Sequence, residues 1–466
     1  MKFYSSAILD SKSKSNKKDG NPTEPVFMMA MGFPFGSMHE PKHLQGLSHF
    51  VEHILFHSKS SKETSESRRK ISEVGGMWNA FTMVDCTVYY VIVPMEHAAM
   101  AIELMRTHIL GPIVISKPAF ELEKKIVLEE KSYRESNPCM IKKVTKMMTE
   151  NTPYADSDIL GNEKTIHAIT LKDVHDFKKK LMSDPKSFST VIIAPKSKHA
   201  FIKSLLNGKE LAGYSSSFSD SSIPLIANAV NDLNRRVLVK VPMDNYSDEH
   251  KHVKGKGKGK PKKKKKEEKE NVVVFKADKD EADQFVIAFR GFAKTDHRAH
   301  VANLVAFILK RNLFEEVREK LGGIYRSNVY HQSMFGMGIL FIVLHSQYMK
   351  ALTLWNILEG CIRRLVLLTE NPNPKNKEKL QTLIRAFLRS EAMSNAMDQS
   401  NMLIKATFNA MAGQTLTSEL SVEALESELG NVVRSFVEGH RCAICKTKDT
   451  KDNRDRLKKG ILDFYL

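Results

Sequence analysis

The densest chemistry in the chain lies in residues 46–56, GLSHFVEHILF, where His49, Glu52 and His53 are set among Leu47, Phe50, Val51, Ile54, Leu55 and Phe56. The apolar positions recur at helical spacing, and polar groups inside such an element need partners. On a helix, His49 and His53 point about 40° apart, and Glu52 lies about 60° from His49 on the same side. Two imidazoles one turn apart can converge on one cation, with the carboxylate close enough to touch a water on it. Zinc suits this donor set: catalytic zinc sites use three protein ligands and leave one position to water, whose pKa falls to about 7. The pattern points to metal-assisted hydrolysis, with the motif carboxylate accepting the proton.

A third ligand must come from another element. The stretch FELEKKIVLEEK offers Glu123 and Glu130, the latter 77 positions after His53. On a helix the two differ by only about 20° and sit two turns apart on one face, while Glu129 points about 100° away. Helix geometry does not choose between Glu123 and Glu130.

The elements around these residues alternate in type. PVFMMAMGF (25–33), CTVYYVIVP (86–94) and STVIIAP (189–195) are strand-like, rich in β-branched and aromatic residues. Residues 96–110 and 117–135 have helical periodicity, the second with Ser116 as a cap and Pro118 in its first turn. The Ser-rich stretch 213–224 reads as a linker between domains at 1–212 and 225–466. Beyond it, 237–242, 271–277 and 283–292 are strand-like, and 300–323 is a long helical pattern closed by Gly322 and Gly323. VYYVIVPMEHAAMAIELM and GILFIVLHSQYMKALTLWNIL both run strand, polar break, amphipathic helix, an internal echo of two related α+β domains.

The composition narrows the class. The net charge is +18, but residues 251–270 alone hold eleven lysines against three glutamates, leaving a diffuse +10 for the rest. This tract, part of an insertion at about 247–270, has no interleaved aromatics for base stacking and reads as a solvated loop. Weak contact with polyanions is the only partner it implies. The longest apolar run, 334–344, is too short to span a bilayer. The first residues lack the apolar core of a secretory signal, and five cysteines are too few and odd for a disulfide framework. These features imply a cytoplasmic protein without membrane insertion, with nuclear or mitochondrial residence as alternatives. The lone CAIC at 442–445 reads as chance rather than a second metal site.

HFVEH, followed 77 residues on by the second glutamate of a Glu-x6-Glu helix, resembles the inverted-motif zinc peptidases. This is the family of pitrilysin, insulin-degrading enzyme, nardilysin and mitochondrial processing peptidase. GGMWNAFTMVDCTVYY, PYADSDILGNEKTIHAITLKDVHDF and LFEEVREKLGGIY resemble further family segments, in the same order, over most of residues 25–345.

The resemblance implies an α+β fold of two homologous domains, each a mostly antiparallel sheet packed against helices, forming half of a clamshell chamber. It implies one Zn2+ per chain on His49, His53 and Glu130. Glu52 would be the general base and Glu123 a second catalytic acid that supports the ligand set. Asn79 and Ala80 match the strand that pairs with substrate, and Arg318 and Tyr325 match a pair that contacts the substrate carbonyl. The family works as a clamshell of four such domains, so a two-domain chain implies a homodimer, or a heterodimer with a related half. The implied activity is endopeptidase cleavage of short or unfolded polypeptides. Competing classes are a non-catalytic scaffold on the same fold and a basic nucleic-acid-associated protein. The chain also departs from the pattern: HSKSS follows the motif where a Gly-containing turn is common, and Asp85 replaces a usual glutamate.

Overall fold

The computed structural model describes residues 6–10, 25–56, 61–135, 140–155, 157–182, 188–206, 218–220, 271–278, 281–319, 326–371, 373–413 and 421–464. The lysine-rich insertion and the strand expected at 237–242 lie outside these residues.

The first half builds a six-stranded sheet from β1 (Ser6–Asp10), β2 (Val26–Phe33), β3 (Met77–Thr82), β4 (Thr87–Pro94), β5 (Ser189–Ala194) and β6 (Phe218–Asp220). Its order is β3-β4-β2-β5-β1-β6. The second half builds a five-stranded sheet from β7 (Val272–Lys276), β8 (Asp283–Gly291), β9 (Arg326–Ser333), β10 (Gly338–Ser346) and β11 (Arg441–Thr447), in the order β7-β11-β8-β10-β9. Replacing β1–β5 by β7–β11 converts one order into the other, apart from the terminal β6. The pairing directions agree as well: β1 with β5 and β7 with β11 are parallel, and the equivalent inner pairs are antiparallel. The chain is a tandem repeat of one α+β unit. Phe218–Asp220, inside the stretch read as linker, adds a short parallel strand to β1 rather than hanging between units.

Helix α1 (Leu47–Phe56) and α2 (Ser61–Glu73) connect β2 to β3; α3 (Ala98–Met105), α4 (Lys117–Glu135) and α5 (Met140–Thr149) follow β4. The helical pattern at 96–110 divides into α3 and a π-helical turn at Arg106–Leu110. The pattern at 300–323 similarly becomes the helix Arg298–Leu313 and a π-helical turn, Phe314–Glu319.

Both faces of each sheet are covered, which is why inner strands such as β2, β4, β5, β8 and β10 read as continuous apolar runs. On β2, Phe27, Met29, Met31 and Phe33 face α1 and α3, where Leu47, Phe50, Val51 and Ile102 complete the first core. The alternate residues Met28 and Ala30 face Leu403, Ala406 and Met411 of the helix Gln399–Met411, which belongs to the second half of the chain. The reverse exchange occurs on the other sheet: Val144 and Met148 of α5 pack on Ile339, Phe341 and Ile444. Each half thus lends a helix to the other's sheet, a crossing that linear boundaries at 212 and 225 do not convey. The exchange is tight at Gly32, where a Cβ would meet the Met411 sulfur at 2.6 Å and Thr407 Cγ2 at 2.7 Å.

A polar knot ties the halves beside β3. Asp85 Oδ2 accepts from the Phe335 backbone N at 2.6 Å and from the Tyr154 hydroxyl at 3.3 Å, and that hydroxyl accepts from Gly336 N at 2.8 Å. Buried Asp85 can be held there because hydrogen bonds replace its water shell. Among the described residues, no helix is long and apolar enough to cross a membrane.

Candidate metal centre

Helix α1 begins at a glycine because the chain must turn there: Gly46 has φ +95°, a conformation costly for residues with a Cβ. The orphan N–H groups of the first turn need acceptors. Glu40 supplies them, its carboxylate accepting from Gly46 N at 2.7 Å and Ser48 N at 2.5 Å. Burial pushes the Glu40 pKa up to about 7, and the hydrogen bonds from Ser48, Gly46 and Leu47 offset only part of that rise. Phe50, Val51, Ile54 and Leu55 anchor the helix in the core and fix the opposite face, which carries the polar residues.

On that face the His49 and His53 rings lie 4.7 Å apart, centroid to centroid. Helix α4 crosses α1 and brings Glu130 to both: its Oε2 is 3.6 Å from His49 Nε2 and 3.7 Å from His53 Nε2. One ligand atom from each of the three residues lies within 4.8 Å of the others. A tetrahedral zinc ion, with bonds near 2.0–2.1 Å, holds its donors roughly 3.3 Å apart. Small side-chain adjustments therefore close the set around an ion, and two imidazoles with one carboxylate are a recurrent catalytic donor set.

Glu123 takes a different place, two turns earlier on α4. Its Oε2 lies 3.0 Å from His53 Nδ1, leaving Nε2 facing Glu130. This carboxylate–imidazole contact fixes the ring and raises its basicity, as expected for a metal-bound histidine. Burial pulls the His53 pKa down, but the Glu123 bond and the charges of Glu52, Glu123 and Glu130 outweigh it, and the net shift is upward. Glu129 is exposed on another face of α4.

Glu52 is buried, and its Oε2 accepts a 2.6 Å hydrogen bond from Thr82 Oγ1 at the end of β3. Thr82 lies 3.5 Å from Thr87 Oγ1, which donates to Phe35 O at 2.9 Å. Strand alternation puts Trp78, Ala80 and Thr82 on one face of β3. β3 is the terminal strand of its sheet. Asn79 and Ala80 sit in its middle, where Asn79 Oδ1 accepts from Ala80 N at 2.9 Å. Next to the metal-ligand cluster opens a cavity of about 730 Å³, lined by Glu52, His53, Phe56, Arg68, Trp78 and Asn79 among others.

The structure brings His49, His53, Glu130, Glu52 and Glu123 into one cluster, with Asn79 and Ala80 on the adjoining edge strand. Arg318 is described in its backbone only, within the turn Phe314–Glu319, and Tyr325 lies outside the described residues. Sequence reasoning passed over Thr82, Glu40 and Arg68. Thr82 was within reach: two residues beyond Ala80, it shares its face of the strand. Glu40 and Arg68 carry no spacing signal, because each acts on the site through the fold.

A duplicated α+β unit with a two-histidine, one-glutamate cluster and an adjacent buried acid defines a candidate zinc-hydrolase centre confined to the first unit. The comparisons agree with that class. Residues 19–159 match insulinase (peptidase family M16), and residues 168–354 match the peptidase M16 inactive domain. The chain belongs to this family. It is 30% identical over 149 residues to an uncharacterized zinc protease, YmxG, of Bacillus subtilis, a match covering 32% of this chain and 36% of that protein. An uncharacterized zinc protease of Rickettsia bellii is 22% identical over 364 residues, 76% of either chain. The match to the Bacillus protein thus spans about a third of its length. Among solved structures, a protease from Helicobacter pylori shares the fold with a TM-score of 0.64 at 15% identity, covering 91% of this chain and 94% of that one. The first half of the periplasmic protease PqqL from Escherichia coli gives 0.62 at 13% identity, over 95% and 92% of the two chains.

Proposed function

We propose that this chain is a zinc metalloendopeptidase that hydrolyses peptide bonds in short or unfolded polypeptides. The observation that carries the reading is the convergence of His49, His53 and Glu130 beside buried Glu52, with Glu52 and His53 lining one cavity. His49, His53 and Glu130 would hold the ion, one per chain. Zinc, when bound, supplies Lewis-acid activation of water and of the scissile carbonyl near neutral pH. Glu52 accepts the proton of the attacking water and returns it to the leaving amine. Glu123 keeps the His53 ring in register through Nδ1. The edge of β3 at Asn79 and Ala80 receives an extended peptide by backbone pairing, which selects conformation more than sequence.

Glu52→Gln separates this reading from a binding protein on the same fold. Zinc content should be retained and cleavage of a mixed peptide library, read by mass spectrometry, should vanish. Cleavage undiminished by that substitution or by rigorous chelation overturns the proposal.

The reading extends to assembly. Two copies would form the clamshell, with Arg318 and Tyr325 of one chain reaching the substrate carbonyl at the other's metal centre. Mixing His49→Ala with Arg318→Ala protein should then restore part of the activity, and no rescue after confirmed subunit exchange rejects sharing. The lysine-rich insertion would add only a weak polyanion contact. The four described cysteines are buried and, among the described residues, in no disulfide, which suits a cytoplasmic setting.

A further inference from the structure

Helix α2 carries three consecutive cations, and they are treated differently. Arg69 pairs with Glu73 at 2.5 Å and Lys70 with Glu66 at 2.8 Å, both one turn away along the helix. Arg68 has Thr64 and Ser72 at those positions, so its own helix offers it no carboxylate. Its guanidinium carbon lies 5.7 Å from the centroid of the Phe56 ring, in the wall of the cavity beside the metal-ligand cluster. Among the described residues Arg68 forms no ion pair. Phe56 in turn packs on Trp78 at 4.7 Å, and Ile71, Met77 and Ile126 extend the apolar lining. The two acids that share the cavity are engaged elsewhere, Glu52 with Thr82 and Glu123 with His53.

We propose that Arg68 makes this cavity a selective subsite for a carboxylate on an apolar stem, carried by the substrate next to the bond to be cut. Because Glu52 and His53 line the same space, an occupant there adjoins the reacting carbonyl. Phe56 and Trp78 cover the methylene stem, and the guanidinium grips both carboxylate oxygens in the planar geometry that lysine lacks. Two sources present this chemistry: a glutamate side chain flanking the scissile bond, or the free C-terminus of a short peptide. The inference rests on the peptidase reading for the identity of the guest.

The test uses zinc-loaded Glu52→Gln protein, so that binding is read without cleavage. Fluorescence anisotropy compares peptides carrying Glu, Gln, Leu or Lys beside the cleavage position, each with a free or amidated C-terminus. The Glu peptide should bind about tenfold tighter than its Gln isostere, the scale of one partly exposed charge-assisted bond. Adding Arg68→Met should remove that preference, Arg68→Lys should retain part of it, and Arg68→Glu should favour Lys peptides. An Arg68-dependent preference for Glu over Gln assigns the carboxylate to the side chain; equal binding of the two, with an Arg68-dependent loss on amidation, assigns it to the chain terminus. Binding indifferent both to the side-chain charge and to amidation, a carboxylate preference that survives Arg68→Met, or no binding by any peptide overturns the proposal. Failure of wild-type protein to cleave, with the Arg68-dependent preference intact, would instead overturn the peptidase reading alone. Arg68 is exposed, so these variants should unfold at the parent temperature, checked by circular dichroism.

Discussion

The bond between Thr82 and Glu52 gives the sharpest test of how β3 is coupled to the proposed chemistry. Thr82→Val keeps the shape of the side chain and deletes the hydroxyl that donates to Glu52 Oε2 at 2.6 Å. A hydrogen bond to a charged group contributes about 1.5–3 kcal/mol. If that bond holds the carboxylate in its working orientation, its loss appears in the barrier, where each 1.36 kcal/mol is tenfold in rate. The expected loss in kcat is therefore roughly tenfold to a hundredfold. Deleting a donor also makes Glu52 a stronger base, which recovers a smaller factor, so the lower half of that range is expected. KM should change little, because the hydroxyl faces Glu52. Thr82→Ser restores the donor and should restore most of the rate. The assay is steady-state cleavage of a fluorogenic peptide by zinc-loaded protein, with zinc content and thermal midpoint measured alongside. Wild-type kcat in Thr82→Val, a loss wholly in KM, or a serine variant as slow as the valine variant would refute the reasoning.

Glu123→Gln keeps a contact with His53 Nδ1 but removes the charge behind the ring, and zinc affinity should fall about tenfold to a hundredfold in competition with a chromophoric chelator. Unchanged affinity would remove Glu123 from the ligand-supporting role. Glu40 predicts a pH effect on stability. Its folded pKa of about 7 exceeds its ordinary 4.5, so the native state holds an extra proton between those values. Stability from this group is full below pH 4.5 and is lost as pH rises to 7, by up to about 3 kcal/mol. Urea midpoints of wild-type and Glu40→Gln protein should converge or cross in that window, the wild type losing ground as pH rises; parallel curves would contradict the assignment.

The sequence alone determined what depends on neighbours along the chain. His49, Glu52 and His53 share a face because a helix repeats every 3.6 residues, and that face is polar because the others are anchored in apolar contacts. Strands β2, β4, β5, β7, β8 and β10 were legible as apolar runs, and the duplication was audible in one pair of strand-helix segments. The tertiary structure decided what depends on how elements cross. Glu123 and Glu130 differ by only about 20° on α4, so periodicity could not rank them; the packing of α4 against α1 put Glu130 at both Nε2 atoms and Glu123 behind His53. The exchange of α5 and the helix Gln399–Met411 was hidden for the same reason: an apolar helix face records that it is buried, not which sheet buries it. Arg68 gained its place only when α2 was laid beside α1, because contacts between distant segments are set by the complementarity of whole surfaces.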